Sequence, residues 1–168
     1  VGYLLRPGCR ADYDSLLADL RRRSVSPARI VHAWTVRRPP TGSADEGSDR
    51  ELEAAFYSLL FLSQALGDGG AERASLTVLS SHVHRLWDTE CNVPERATML
   101  GICQVLALEY PALSARCIDL DFPVRVPIEH LAGEIASTRD SVVALRGTRR
   151  WTRAFERLPL RSPRPGGV

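Results

Sequence analysis

The sequence predicts an α/β domain built on a mainly parallel sheet flanked by helices. Three observations carry that expectation. Extended and helical signals alternate along the chain, as a parallel sheet with crossover helices requires. The stretch "SLTVLSS", Ser75–Ser81, is short, uncharged and apolar at Leu76, Val78 and Leu79, and reads as a strand covered on both faces. Two segments, 51–67 and 94–110, carry apolar residues almost all the way round a helix. The 168 residues, 44% hydrophobic and 25% charged, suit one globular domain, which at this size buries about two-thirds of its extended surface.

The elements follow in order. "VGYLL" at Val1–Leu5 reads as a strand closed by the Pro7-Gly8 turn signal. "DYDSLLADLRRR", Asp12–Arg23, sets Tyr13, Leu16, Leu17 and Leu20 on one helical face, with acids early and arginines late, as the helix dipole favours. "RIVHAWTV", Arg29–Val36, is a strand rich in β-branched and aromatic residues. Arg37–Arg50, polar with Pro, Gly and Ser throughout, reads as an exposed loop. Glu51–Gly67 is a helix ending at a glycine cap, and Ser75–Ser81 the next strand. His82–Asn92 is a loop leading into the second apolar helix, which starts at Pro94. "LSARCIDLD", Leu113–Asp121, is a strand, and a short helix follows from Pro127. Ser141–Leu158 reads as two extended segments bent at Gly147, and the final "RSPRPGGV" as a linker.

Composition excludes several functions. A net charge of +2 provides no field to recruit nucleic acid or an acidic membrane. No apolar run approaches the ~20 residues that span a bilayer, and no signal-peptide pattern opens the chain. The four cysteines, Cys9, Cys91, Cys103 and Cys117, form no C-x-x-C pair, so a reducing cytoplasm is the expected location. All 22 basic residues are arginine. With no lysine in the chain, a Schiff base, a P-loop and a lysine that tunes a catalytic tyrosine are all excluded.

The two apolar helices raise a packing question. A helix that is hydrophobic all round is buried all round, and one sheet covers only one side. A second protein surface is the economical cover, with burial of each extra Leu or Phe worth ~1.5–3 kcal/mol. The alternative is that the two helices cover each other.

Four stretches carry a family likeness: "RIVHAWTV", "FYSLLFLSQAL", "PERATMLGICQVLALEYPALSARCIDLD" and "ALRGTRRWTRAFERL". In order and spacing, from about Val1 to Leu160, they closely resemble the N-terminal structural subdomain of the ketoreductase of type I polyketide synthases. The resemblance implies a truncated Rossmann-like, short-chain dehydrogenase-like fold over 1–160, with no activity of its own. It also implies a linker over 161–168 leading to a catalytic subdomain. That half binds NADPH and reduces the β-keto group of the carrier-bound intermediate within a multidomain synthase. Helices 51–67 and 94–110 would pack on it, and the acyl carrier protein of the parent is a further implied partner.

The residues independently argue against catalysis here. No G-x-G-x-x-G follows the first extended segment, and "GDGG", Gly67–Gly70, follows a helix, so no nucleotide-binding glycine loop is present. Alignment with active short-chain dehydrogenases places the catalytic tyrosine position near Asn92, the lysine position at Arg96 and the serine position at Ser80 or Ser81. Asparagine has no phenol to donate a proton, so an intact tetrad is excluded. The site prediction is therefore that no catalytic, cofactor-binding or metal-binding residue exists in this segment.

Other constellations have plainer readings. His82-x-His84 with Cys91 suggests zinc only weakly, since a second ligand pair is missing. Glu51 with Glu53 and Asp119 with Asp121 read as solvated structural acids. Trp34 and Trp151 read as core or subdomain-contact residues. The clusters Arg21–Arg23 and Arg149–Arg150 read as a helix end and a strand bend rather than a docking site for an acidic carrier. Two further readings stay open: a pseudo-ketoreductase scaffold beside another synthase domain, and a free-standing NADPH-dependent reductase.

Overall fold

A computed structural model describes residues 2–40, 44–70 and 73–158. The elements are α1 (Arg10–Arg22), β1 (Arg29–Thr35), α2 (Ala44–Leu52), a π-helical turn (Glu53–Tyr57), α3 (Ser58–Asp68), β2 (Ala74–Ser81), α4 (Pro94–Glu109), β3 (Leu113–Leu120), α5 (Ile128–Ala136), β4 (Val142–Arg146) and β5 (Arg149–Thr152). The five strands form one sheet in the order β1-β2-β3-β4-β5. β1 to β4 run parallel, and β5 turns back antiparallel on β4. Gly147, at φ 59°, makes that turn; a left-handed backbone is one that glycine adopts without strain.

Alternation along the strands sorts the core into two layers. On one face, Leu76 and Val78 of β2 and Cys117 of β3 meet Tyr13 and Leu17 of α1, Leu59, Leu62 and Leu66 of α3, and Met99, Ile102 and Leu106 of α4. On the other, Leu79, Ile118, Leu120, Val143 and Leu145 meet Leu131 and Ile135 of α5. The α/β fold class expected from the sequence is the one found. Among the described residues, no helix is long and apolar enough to cross a membrane.

Three expectations need correction, and one falls outside the description. Residues 2–6 form no strand. Leu4 is 96% exposed, and the segment is tied instead to α1 by Tyr3 Oη donating to Asp19 at 2.7 Å and by the Arg6–Asp12 ion pair. An apolar pentapeptide becomes a strand only where a partner edge exists, and nothing local encodes that edge. The supposed loop 37–50 is helical from Ala44, and α2 runs through the π turn into α3. Ser48, a poor interior helix former, is held by its hydroxyl donating to Glu95 Oε1 of α4 at 2.6 Å. The helix also runs past Gly67 to Asp68, with Gly69 as its cap. Gly67 is there for space: a Cβ on it would stand 2.1 Å from the Tyr110 ring. The linker expected at 161–168 lies outside the described residues.

The π turn aligns the next helix under a buried histidine. Ser58 Oγ donates to the Ala54 carbonyl at 2.7 Å, so His32 Nε2, 2.7 Å away, is the N–H donor to that hydroxyl. Burial pushes the His32 imidazole down to about 4, because a charged ring would be stranded in the core. The folded state then binds fewer protons than the unfolded chain between about pH 6.5 and 4. Stability is full above that window and falls by about 3 kcal/mol across it. Urea unfolding from pH 7 to 4 is expected to show this loss, and His32→Leu to lack it while keeping the carboxylate titrations common to both proteins.

Candidate functional site

Ligands of open α/β sheets bind outside the carboxyl ends of the strands. At that end of β1 and β2 the chain places Thr35, Ser80 and Ser81, with Arg96 descending from the first turn of α4. Pro94 opens that helix at its first position, where its missing N–H costs nothing, and Val93 is anchored by its amide donating to the His82 carbonyl at 2.8 Å.

Arg96 is wholly buried. Its Nε donates to Glu51 Oε2 at 2.8 Å and its Nη2 to Glu51 Oε1 at 3.1 Å, a two-pronged pairing. Nη1 donates to Ser81 Oγ at 2.9 Å and to the Ser81 and Arg37 carbonyls, each at 3.0 Å. Nη2 also reaches the Arg38 carbonyl at 3.0 Å. Arg37 Nη2 lies 3.1 Å from Glu51 Oε1 on the outer side. Ser80, wholly buried, accepts from Thr35 Oγ1 at 2.9 Å. Every donor of the guanidinium is thus committed to the protein.

Of the residues aligned with a dehydrogenase tetrad, Arg96 and Ser81 are brought into contact and Asn92 stands apart. Arg96 stands in the closed network, Ser80 and Ser81 are sealed beneath it, and Asn92 is exposed two residues ahead of the helix. What the arrangement can do is clamp the 37–38 segment, β2 and α4 to Glu51.

Beside this plug, at the ends of β2 to β4, lies a cleft of about 700 Å³ walled by the 82–92 loop and residues 121–125. His82 (φ 63°) sits on its rim, with Nδ1 3.3 Å from the Cys91 carbonyl and 3.5 Å from Cys91 Sγ. His84 turns the other way, its Nδ1 3.5 Å from Asp119 Oδ2, so the two imidazoles and the thiol do not converge. Among the described residues, no group of three or more His, Cys, Asp or Glu is arranged to hold a metal ion.

Asp119 ties down this loop. It accepts from the Val83 and His84 amides at 3.1 and 3.0 Å and from Arg146 Nη2 at 3.0 Å, while Arg146 Nε reaches Glu90 at 2.7 Å. Burial alone would raise the Asp119 carboxyl, but the His84 hydrogen bond, the Arg146 charge and the Val83 amide outweigh it and hold the group below the usual range.

Glu51 and Asp119 are thus not the solvated acids that the sequence suggests: they are 2% and 0% exposed. Trp87 and Trp151 are each 40% exposed and meet edge to face, with centroids 5.7 Å apart. Arg22 and Arg23 pair with Asp19, and Arg150 with Glu134 and Asp140, which accounts for two of the three arginines in the first cluster and one of the two in the second.

The apolar helices differ in cover. α3 is largely buried by α1, α4 and the sheet, leaving Tyr57 43% exposed at its start. α4 buries Met99, Ile102, Cys103 and Leu106 and leaves Gly101, Gln104, Val105 and Leu108 outside, with Val105 46% and Leu108 80% exposed.

A family model described as beta-ketoacyl synthase-like, N-terminal, matches residues 2–137. The chain belongs to that family. Among curated proteins it is 36% identical over 106 residues to the pikromycin polyketide synthase component PikAIII of Streptomyces venezuelae, covering 61% of this chain and 7% of that one. It is 28% identical to a component of the phenolphthiocerol/phthiocerol polyketide synthase of Mycobacterium tuberculosis (strain CDC 1551 / Oshkosh), across 92% of this chain and 10% of that protein. The chain thus spans a tenth or less of the length of these relatives.

Among solved structures it superposes on A-type ketoreductases from a modular polyketide synthase with a TM-score of 0.59 at 25% identity, covering 85% of this chain and 30% of that one. An N-terminal ketoreductase from the macrolactin assembly line gives 0.67 at 16% identity, covering 90% and 32%. A keto acid-selecting module that carries a ketoreductase gives 0.76 at 23% identity, covering 86% and 12%. The last two show the fold alone. The polyketide synthase ketoreductase resemblance read from the sequence is borne out, and so is the Rossmann-like, short-chain dehydrogenase-like fold.

Proposed function

We propose that this chain is the non-catalytic structural half of a polyketide synthase ketoreductase. It packs on, and stabilises, an NADPH-binding half that reduces the β-keto group of carrier-bound intermediates. The observation that carries this reading is the Arg96 network. The place where a short-chain dehydrogenase keeps a lysine poised between tyrosine and cofactor is filled by a guanidinium bonded to Glu51, Ser81 and the 37–38 backbone. A guanidinium whose donors are all committed to the fold has none left for a cofactor. The outer face of α4, with Val105 and Leu108 uncovered, supplies the surface for the other half, and Tyr57 extends it onto the helix of residues 44–68. In this reading NADPH belongs to the other half, and the carrier protein meets the assembled pair.

The test is to produce the chain and the roughly 200 residues encoded directly after it, a typical domain length, as separate proteins and to measure their association. A tight one-to-one complex, with the outer face of α4 newly protected from hydrogen exchange, is the expected result. Two proteins that fail to associate at micromolar concentration would refute the reading.

A further inference from the structure

At the opposite end of the sheet from Arg96, the amino ends of β1, β2 and β3 and the carboxyl end of α5 enclose a cleft of about 440 Å³. Strand register builds its floor. Arg29 of β1 is aligned with Ser75 of β2, and Ser75 with Ser114 of β3; two residues on, Thr77 is aligned with Arg116. Residues two apart in a strand share a face, so these five side chains stand on the α5 side of the sheet. Arg139, just beyond α5, closes the cleft from above.

The charges here do not balance. Arg116, 8% exposed, holds the Glu134 carboxylate and the Glu134 and Ser137 carbonyls through its two terminal nitrogens. Arg150 completes the set by pairing with Glu134 at 2.8 Å and with Asp140 at 2.6 Å. Two guanidiniums and two carboxylates cancel. Arg29 and Arg139 remain over, exposed, and among the described residues neither is ion-paired with a carboxylate. Arg116 Nε is a buried donor with no acceptor, an arrangement proteins rarely leave unmet. The cleft therefore offers two cations unpaired among the described residues, an unmet buried N–H and the hydroxyl of Ser114, while Ser75 Oγ donates to the Ala28 carbonyl at 3.4 Å.

We propose that this cleft binds a small phosphate-bearing molecule, its phosphate set between Arg29 and Arg139. A phosphate fits better than a carboxylate because donors converge from the strand floor and from the segment above it, and a tetrahedral group has oxygens to meet both sides. Planar guanidinium forks suit such oxygens, and charge-assisted bonds of this kind are the strong ones. The site lies at the other end of the strands from the Arg96 network, so it is independent of any dinucleotide chemistry.

The test uses the 168-residue chain with inorganic phosphate and pyrophosphate as probes, titrated at constant ionic strength against sodium chloride and followed by calorimetry and thermal unfolding. Saturable one-to-one binding is expected, with pyrophosphate tighter than phosphate. The double variant Arg29→Gln, Arg139→Gln, changed only at exposed side chains, is expected to bind pyrophosphate at least tenfold more weakly. The pair Arg125→Gln, Arg149→Gln, on the 700 Å³ cleft, should leave binding unchanged. A response no larger than that to chloride, or equal binding by the first double variant, would overturn the proposal.

Discussion

Arg96→Ala is expected to cost the chain about 3–5 kcal/mol of stability, the range for removing one partner of a buried ion pair. The loss has little to do with the attraction itself. It arises because the Glu51 carboxylate, 2% exposed, would stay in the core without its two-pronged partner, and because the Arg37, Arg38 and Ser81 carbonyls would lose their donor together. Arg37 stays 3.1 Å from Glu51, which moves the expectation toward the lower end of the range. The double variant Glu51→Leu, Arg96→Met checks the mechanism. Removing both charges leaves no stranded ion, so much of the loss is expected to return, and a double-mutant cycle by urea unfolding should show strong coupling. Arg96→Lys, which brings back the dehydrogenase residue type, is expected to remain destabilised and inactive, since one ammonium cannot reproduce a fork that serves six acceptor contacts.

The second large effect concerns association. Val105→Asp with Leu108→Asp is expected to cost the chain's own unfolding about 1–2 kcal/mol, from the lower helix propensity of aspartate and its charge in the last turns of α4, and so to leave the chain folded. The same pair should weaken binding to the downstream half by about 10²–10⁴-fold, from the ~1.5–3 kcal/mol lost per buried aliphatic side chain. Sedimentation or calorimetry of the mixed halves reads this directly, and unchanged affinity would remove α4 from the interface. Placing the substitutions on α4 follows from the structure: periodicity alone made helices 51–67 and 94–110 equal candidates, whereas α3 is mostly covered by α1 and the sheet.

How far the sequence could be read depended on whether a feature was local. β2 and β3 were legible because each is a short segment with apolar residues at its centre, set between turn signals and a helix, which needs no partner information to recognise. α4 was legible from Pro94 onward on equally local grounds. α2 was not: "ADEGSDREL" is polar with an internal glycine, and it becomes helical only as the lead-in to the π turn and α3, with Ser48 fastened to Glu95. Residues 2–6 erred in the other direction, carrying a strand's composition without a strand's neighbour.

At the candidate site, absences could be read and replacements could not. The missing lysine and glycine loop were the basis for expecting no dehydrogenase chemistry from these residues. Nothing in the sequence indicated that Glu51 and Arg96, 45 residues apart, close on each other, because burial of a charge depends on a partner brought in by the fold. Asp119 reads as solvated in the sequence for the same reason: its partners, Val83, His84 and Arg146, come from two other parts of the chain.

The central claim is that the dinucleotide-handling end of this sheet has been given over to structure, leaving the chemistry to an attached half. Titrating NADPH into the isolated chain, and then into its complex with the downstream half, tests it most directly. The account predicts no saturable binding to the chain alone up to millimolar cofactor and one site per complex, with an affinity that Arg96→Lys does not change. Micromolar NADPH binding to the chain by itself would contradict it.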